Sequence, residues 1–241
     1  MKGIVRVAVL VISFMTICSL LFSSIHSAGA VVSGTIFSDG FESGNFDGWS
    51  GTRNSAGETV SISARVSINE TYTHQGNFSA QLTSNGLESS EYSYCYEKIS
   101  AASELYARAY FKVTSSGIGN VVDTRFSMIV FKASTAIAFA GWRMTSKGIR
   151  WQLLIRDSSG WVTKYSTMNT SVNRWYCVEL HWLKDIANGY AELFVDGDLV
   201  CTIIGRNTAS FGSVSEVDFG IASTFNCDST TVYLDSAQQD C

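Results

Sequence analysis

Proline is absent from all 241 residues, and histidine occurs three times. Chain reversals therefore fall to Gly, Asn, Asp and Ser, which reach turn conformations by other means. Only His74 and His181 lie beyond the N-terminal leader, and no two cysteines have C-x-x-C spacing, which excludes a clustered zinc site. No G-x-S-x-G elbow, phosphate-binding loop or dinucleotide fingerprint occurs, so serine-nucleophile and nucleotide chemistry find no motif. A basic surplus is missing too. Without Lys2 and Arg6 the chain carries 15 basic against 21 acidic residues, unlike a general nucleic-acid binder. After residue 30 no apolar run is long enough to span a bilayer.

The first thirty residues stand apart. Lys2 and Arg6 precede an almost unbroken apolar run from Val7 to Phe22, and Ala28-Gly29-Ala30 has the small-x-small form of a signal cleavage site. Residues 1–30 read as a signal peptide or an uncleaved anchor, and 31–241 as a single domain, secreted or at the cell surface. Membrane attachment is expected only if the leader is retained. Of six cysteines, Cys18 lies in the leader. Cys95, Cys177, Cys201, Cys227 and Cys241 suit disulfides in an exported protein. Five is odd, and terminal Cys241 is the natural leftover, free to link a disulfide-bonded partner.

Helical periodicity is scarce. Short alternating runs recur instead, rich in Tyr, Phe, Trp, Val, Ile and Thr: 105–113, 125–133, 137–144, 149–156, 161–166, 175–183, 191–195, 199–204, 216–222 and 231–234. Asp196-Gly197 between two of them is a strong hairpin signal. Many short strands without intervening helices predict an all-β antiparallel sandwich.

Three segments carry a likeness. Phe37-Ser38-Asp39-Gly40-Phe41-Glu42-Ser43-Gly44-Asn45-Phe46-Asp47-Gly48-Trp49 resembles the first strand of extracellular jelly-roll carbohydrate modules. The stretch from Arg174 to Trp182, followed by Gly189 to Gly197, resembles the W-x-x-V-E-L … G-x-x-x-L-x-V-D-G pattern of the concanavalin A-like superfamily, with its laminin-G-like domains and polysaccharide lyases. Val232-Tyr233-Leu234-Asp235 is similar to the closing strand of the same sandwiches. The resemblance implies a concanavalin A-like jelly roll of about a dozen strands. It also implies a structural calcium, held by Asp39, Glu42 and Asp47 near the first strand and Asp235 on the last.

Alternation places Tyr106, Arg108, Tyr110 and Lys112 on one face of their strand; Arg125, Arg143, Gln152 and His181 are polar positions on neighbouring runs. If these faces line one concave sheet, they form a groove suited to an acidic polysaccharide, because arginine grips carboxylate or sulfate with two hydrogen bonds. Trp161, after the Asp157-Ser158-Ser159-Gly160 turn, is the tryptophan expected to be exposed for sugar stacking, with Trp142 and Trp151 as further platforms. The expected ligand residues are Arg108, Tyr110, Arg125, Arg143, Gln152, Trp161 and His181. A lyase would use Tyr110 and His181 for proton transfer, with Arg108 and Gln152 on the uronate carboxylate. Glu216-Val217-Asp218 begins the E-x-D-x-x-E pattern of glucanases, but Ile221 stands where the second glutamate belongs. A carbohydrate-binding or adhesion module, partnered by a polysaccharide or glycoprotein glycan, is therefore favoured over a lyase, with a structural surface protein as a third reading.

Overall fold

The computed structural model describes residues 34–55, 57–64 and 72–240; the leader and Cys241 lie outside them. Fifteen strands follow in order: β1 (Thr35–Asp39), β2 (Gly51–Asn54), β3 (Thr59–Ala64), β4 (Phe78–Ser84), β5 (Ser93–Ala102), β6 (Glu104–Ser116), β7 (Arg125–Lys132), β8 (Ala136–Thr145), β9 (Gly148–Asp157), β10 (Gly160–Asn169), β11 (Trp175–Leu183), β12 (Gly189–Val195), β13 (Asp198–Arg206), β14 (Val214–Phe225) and β15 (Thr230–Asp240). Apart from one 3-10 turn at Ala209–Phe211, the described residues contain no helix.

All pairings are antiparallel and build two sheets. The eight-stranded sheet runs β13-β12-β11-β6-β15-β4-β3, with β1 also on β15; the seven-stranded sheet runs β10-β9-β8-β7-β14-β5-β2. This is a β-sandwich jelly roll. Period-two alternation sends Leu105, Ala107, Ala109 and Phe111 of β6 into the core from one sheet, and Trp151, Leu153 and Ile155 of β9 into it from the other, while the intervening residues face outward. The β12–β13 hairpin turns at Asp196-Gly197, whose φ values of 54° and 88° are the positive pair such a turn needs. Gly197→Ala is expected to cost about 1 kcal/mol through left-handed strain, read as a lowered urea midpoint; an unchanged midpoint would show that the turn tolerates a Cβ.

The last strand serves two partners along its length. Its first half, Thr230–Leu234, pairs with β4, and Ala237–Asp240 pairs with β1, so the expected adjacency of first and last strands holds. Between the two halves, buried Asp235 accepts backbone N–H groups of His74 (2.8 Å) and Gln75 (3.0 Å). Glu42, just beyond β1, accepts those of Asn77 and Phe78 at 2.9 and 3.0 Å. The two carboxylates thus bind the chain on either side of Gly76.

The anticipated disulfides are corrected by this layout. Cys95, Cys177, Cys201 and Cys227 are all free. Cys95 points into the core from β5, and Cys201 from β13 in the other sheet. Cys177 faces outward from β11, and Cys227 sits in the β14–β15 turn with its Sγ against the Arg125 carbonyl. Burial pushes the Cys201 and Cys227 thiols up to about 11, which makes them inert packing groups.

Candidate functional site

The topology divides the expected groove. Arg108 and Tyr110 lie on β6 and His181 on β11, on the outer face of the eight-stranded sheet; Arg125, Arg143, Gln152 and Trp161 lie on β7 to β10, on the outer face of the other. One groove cannot hold both sets. The parity of each strand was legible, but its sheet membership was not.

On the eight-stranded sheet the residues are engaged with one another. His181 is 2% exposed, stacked on Tyr106 with ring centroids 3.7 Å apart. Its Nδ1 meets Glu192 and its Nε2 meets Glu104, both at 3.0 Å. Arg108 donates to Gln238 at 2.6 Å, and Tyr110 stacks on His74 at 3.6 Å. Buried and paired on both ring nitrogens, His181 has no free atom for proton transfer. The lyase set of Tyr110, His181, Arg108 and Gln152 is dismantled, because Gln152 sits on the opposite sheet.

The seven-stranded sheet presents an organised outer face, and cross-strand register gives it three rows. The first is cationic: Arg125 lies opposite Arg143, which lies opposite Arg150. The second row runs Tyr165, Gln152, Gly141, Ser127, Ser223. The third is apolar at its centre, with Thr163, Leu154, Phe139 and Val130 leading to Asp218 and Tyr96. The middle row is the floor. A bulge in β7 between Ser127 and Ile129 presses its backbone against Gly141, where an added Cβ would meet the Phe126 carbonyl oxygen at 2.1 Å. No side chain fits there. Over this part of the sheet lies a hollow of about 410 Å³ lined by Arg125, Ser127, Arg143, Gln152 and Trp161 among others.

Gln152 is 5% exposed, yet its amide nitrogen has no hydrogen-bond partner. Trp161 stands at the rim, 48% exposed, its ring fixed against Phe139 (5.3 Å) with the Arg156 guanidinium 5.7 Å away. Trp142 and Trp151 are buried in the core and offer no platform. A second hollow of about 570 Å³ lies across the arginine row, sharing Arg143 and lined by Met144, Thr145, Lys147, Arg150 and Tyr165. Tyr165, Lys147 and Gly141 went unnoticed in the sequence. Parity along 161–166 would have found Tyr165, whereas Gly141 required knowledge of the bulge.

Towards β14 the same face turns to ion pairs. Glu216 takes both Arg53 nitrogens, at 2.5 and 3.0 Å, and Lys132 at 3.2 Å. Burial opposes its charge, but these hydrogen bonds outweigh it and bring its pKa to about 2. Asp218 is paired with Lys132 and wholly buried; burial pushes its carboxyl up to about 7 against the pull of that ammonium. The two carboxylates share a face, but one is held by cations and the other is closed to a substrate.

No known sequence family matches the chain, and no curated protein resembles it significantly in sequence. Solved structures do share its fold. The cellulose-induced protein Cip1 superimposes with a TM-score of 0.60 at 16% identity, over 84% of this chain and 96% of its own. A carbohydrate esterase, vb_24B_21, from the Shiga toxin-encoding bacteriophage phi24B, matches at 0.52 and 13%, over 86% and 98%. The binding domain of Paraclostridial Mosquitocidal Protein 1 matches at 0.52 and 12%, over 85% of this chain and 48% of that one. At such identities the similarity establishes the jelly-roll sandwich.

The carboxylates assigned to calcium are otherwise occupied. Asp39 accepts the Phe41 N–H at 2.8 Å and the Trp49 indole N–H at 2.6 Å, while Glu42 and Asp235 hold the backbone around Gly76. Asp47 is exposed. Among the described residues no three His, Cys, Asp or Glu side chains converge as a metal site.

Proposed function

We propose that this protein is an exported carbohydrate-binding module of the concanavalin A-like kind, which takes glycan in the hollow on the outer face of its seven-stranded sheet. Gln152 carries the reading. A buried amide nitrogen without a partner costs about 1–3 kcal/mol, and the residue that carries it lines the hollow. A sugar hydroxyl would satisfy it. Trp161 supplies at the rim the flat apolar surface on which a pyranose ring packs, and Ser127, Thr163 and Ser223 add hydroxyls for hydrogen bonding. Export is supported by the N-terminal charge, apolar run and small-residue pattern. The shared fold of a carbohydrate esterase and a cellulose-induced protein agrees with this reading.

Affinity electrophoresis in gels containing soluble polysaccharides tests it. Trp161→Ala is expected to weaken retardation about tenfold or more, as loss of an aromatic anchor does, and Gln152→Leu to weaken it while leaving unfolding unchanged or slightly improved. Full retardation of both variants would place the glycan elsewhere.

A further inference from the structure

We infer that the ligand of this hollow is a polyanionic glycan, its carboxylate or sulfate groups seated on the cross-strand row of Arg125, Arg143 and Arg150. The inference rests on the carbohydrate reading above and narrows it to a chemical class. Like charges directly opposite one another on neighbouring strands destabilise a sheet, and here three guanidinium-bearing residues are in register. Towards β14 on the same face the cations are neutralised: Arg53 by Glu216, and Lys132 by Glu216 and Asp218. The row is treated differently. Asp123 pairs with Arg143, while neither Arg125 nor Arg150 has an ion-pair partner among the described residues.

Arg125 donates only to the Asp123 backbone oxygen at 3.1 Å and lies over the Phe225 ring at 4.3 Å. Arg150 spends one nitrogen on the Lys147 carbonyl at 2.8 Å and leaves Nη1 buried and unsatisfied. Burial, and then the charge of Arg143, lower the pKa of Arg125, so the folded protein holds that charge at a cost. An anion would relieve it. The two hollows flanking the row contain four cations, Arg125, Arg143, Lys147 and Arg150, and one carboxylate, Asp123. They do so on a chain whose net charge is −4, so the cationic character is local to this face.

Geometry favours a polymer over a lone anion. Neighbouring strands lie about 4.8 Å apart, a spacing of the order of one pyranoside unit, and the row crosses three of them. A glycan laid across β7, β8 and β9 has room for its rings on both sides of the row, because the two hollows meet at Arg143. Guanidinium groups match planar carboxylate and tetrahedral sulfate with paired donors.

The test is affinity electrophoresis of the purified protein against polygalacturonate, alginate and carrageenan, beside fully methyl-esterified polygalacturonate and agarose. At least one acidic polymer is expected to retard the protein, and its neutral counterpart much less. Carboxylate and sulfate are told apart by which acidic polymer acts. Arg125→Gln and Arg150→Gln should each weaken that retardation about tenfold, the loss expected for a hydrogen-bonded charge contact. Their urea midpoints should not fall, since neither residue is ion-paired. Added salt should weaken the interaction in parallel. Acidic-polymer binding untouched by both substitutions overturns the inference. Equal retardation by the esterified polymer or agarose overturns it while leaving the carbohydrate reading intact; no retardation by any polymer overturns both. Polyuridylate acting as strongly as the acidic glycans would make this a general polyanion surface, and the inference would fall.

Discussion

Trp151→Ala is expected to remove about 4 kcal/mol of stability, the largest effect of any single truncation considered for this fold. Trp151 packs edge-on against Trp142 at 5.6 Å and against Tyr176 at 5.2 Å, and Trp142 reaches Phe126 at 5.8 Å. Tyr176 belongs to β11 of the eight-stranded sheet, whereas Trp142, Trp151 and Phe126 belong to the other. The four rings therefore span the interior. Neither indole nitrogen in this cluster has a hydrogen-bond partner. Trp151→Phe should consequently be far milder, about 1–2 kcal/mol, because it keeps ring contact and removes an unsatisfied N–H. Urea unfolding followed by circular dichroism distinguishes these outcomes. A loss below about 1 kcal/mol for the alanine variant would show that this cluster is not what joins the sheets. Glycan binding should weaken too, because Arg150 and Gln152 flank Trp151 on β9 and face the opposite side.

A comparable effect is expected in the dependence of stability on pH. Burial raises the Asp218 carboxyl from its ordinary 3.8 to about 7 in the folded protein. Its stabilising contribution is complete below 3.8 and is lost as pH rises through 7, because the folded state then binds the proton more tightly than the unfolded one. Glu216 works in the other direction. With its pKa brought from 4.5 to about 2, it contributes above 4.5, and that contribution disappears as pH falls towards 2. Stability should peak at about pH 4–5 and fall by a few kcal/mol by pH 8. Asp218→Asn should flatten the alkaline limb and leave the acid limb in place. Urea midpoints at pH 3, 4.5 and 8 would check this; an unchanged fall above pH 4.5 in the variant would locate the titrating group elsewhere.

Alternation made most of the fold legible. The run 175–183 coincides with β11, and nine other runs fall within or closely overlap observed strands, because each carries large apolar residues at every second position. The strands β2, β3, β4 and β5 escaped notice. Phe78–Ser84 fully buries only Ala80 and Leu82 among its apolar residues, with Phe78 half-buried beside them, and Ser93–Ala102 ends in exposed small residues. Such segments become strands because their neighbours need pairing, which is a tertiary cause. The candidate site divided along the same line. Arg125, Arg143, Gln152 and Trp161 were identified and do meet. Arg108, Tyr110 and His181 shared their parity but belong to the other sheet, a matter of chain topology that no local pattern records. No disulfide joins the described cysteines, although Cys95 and Cys201 both reach the core.

The position of β15 has a consequence for when this chain can fold. It is the last strand, yet it lies inside the eight-stranded sheet, where β6, β4 and β1 all depend on it. Thr35 pairs with Asp240, so the earliest described strand waits for the last described residue. Pairings this distant are slow to form, in the range of milliseconds to seconds. During synthesis three strands carry open edges until β15 is made, and such edges invite chaperones and aggregation alike. A chain terminated before Thr230 loses one strand in length, but it leaves β1, β4 and β6 without their common partner.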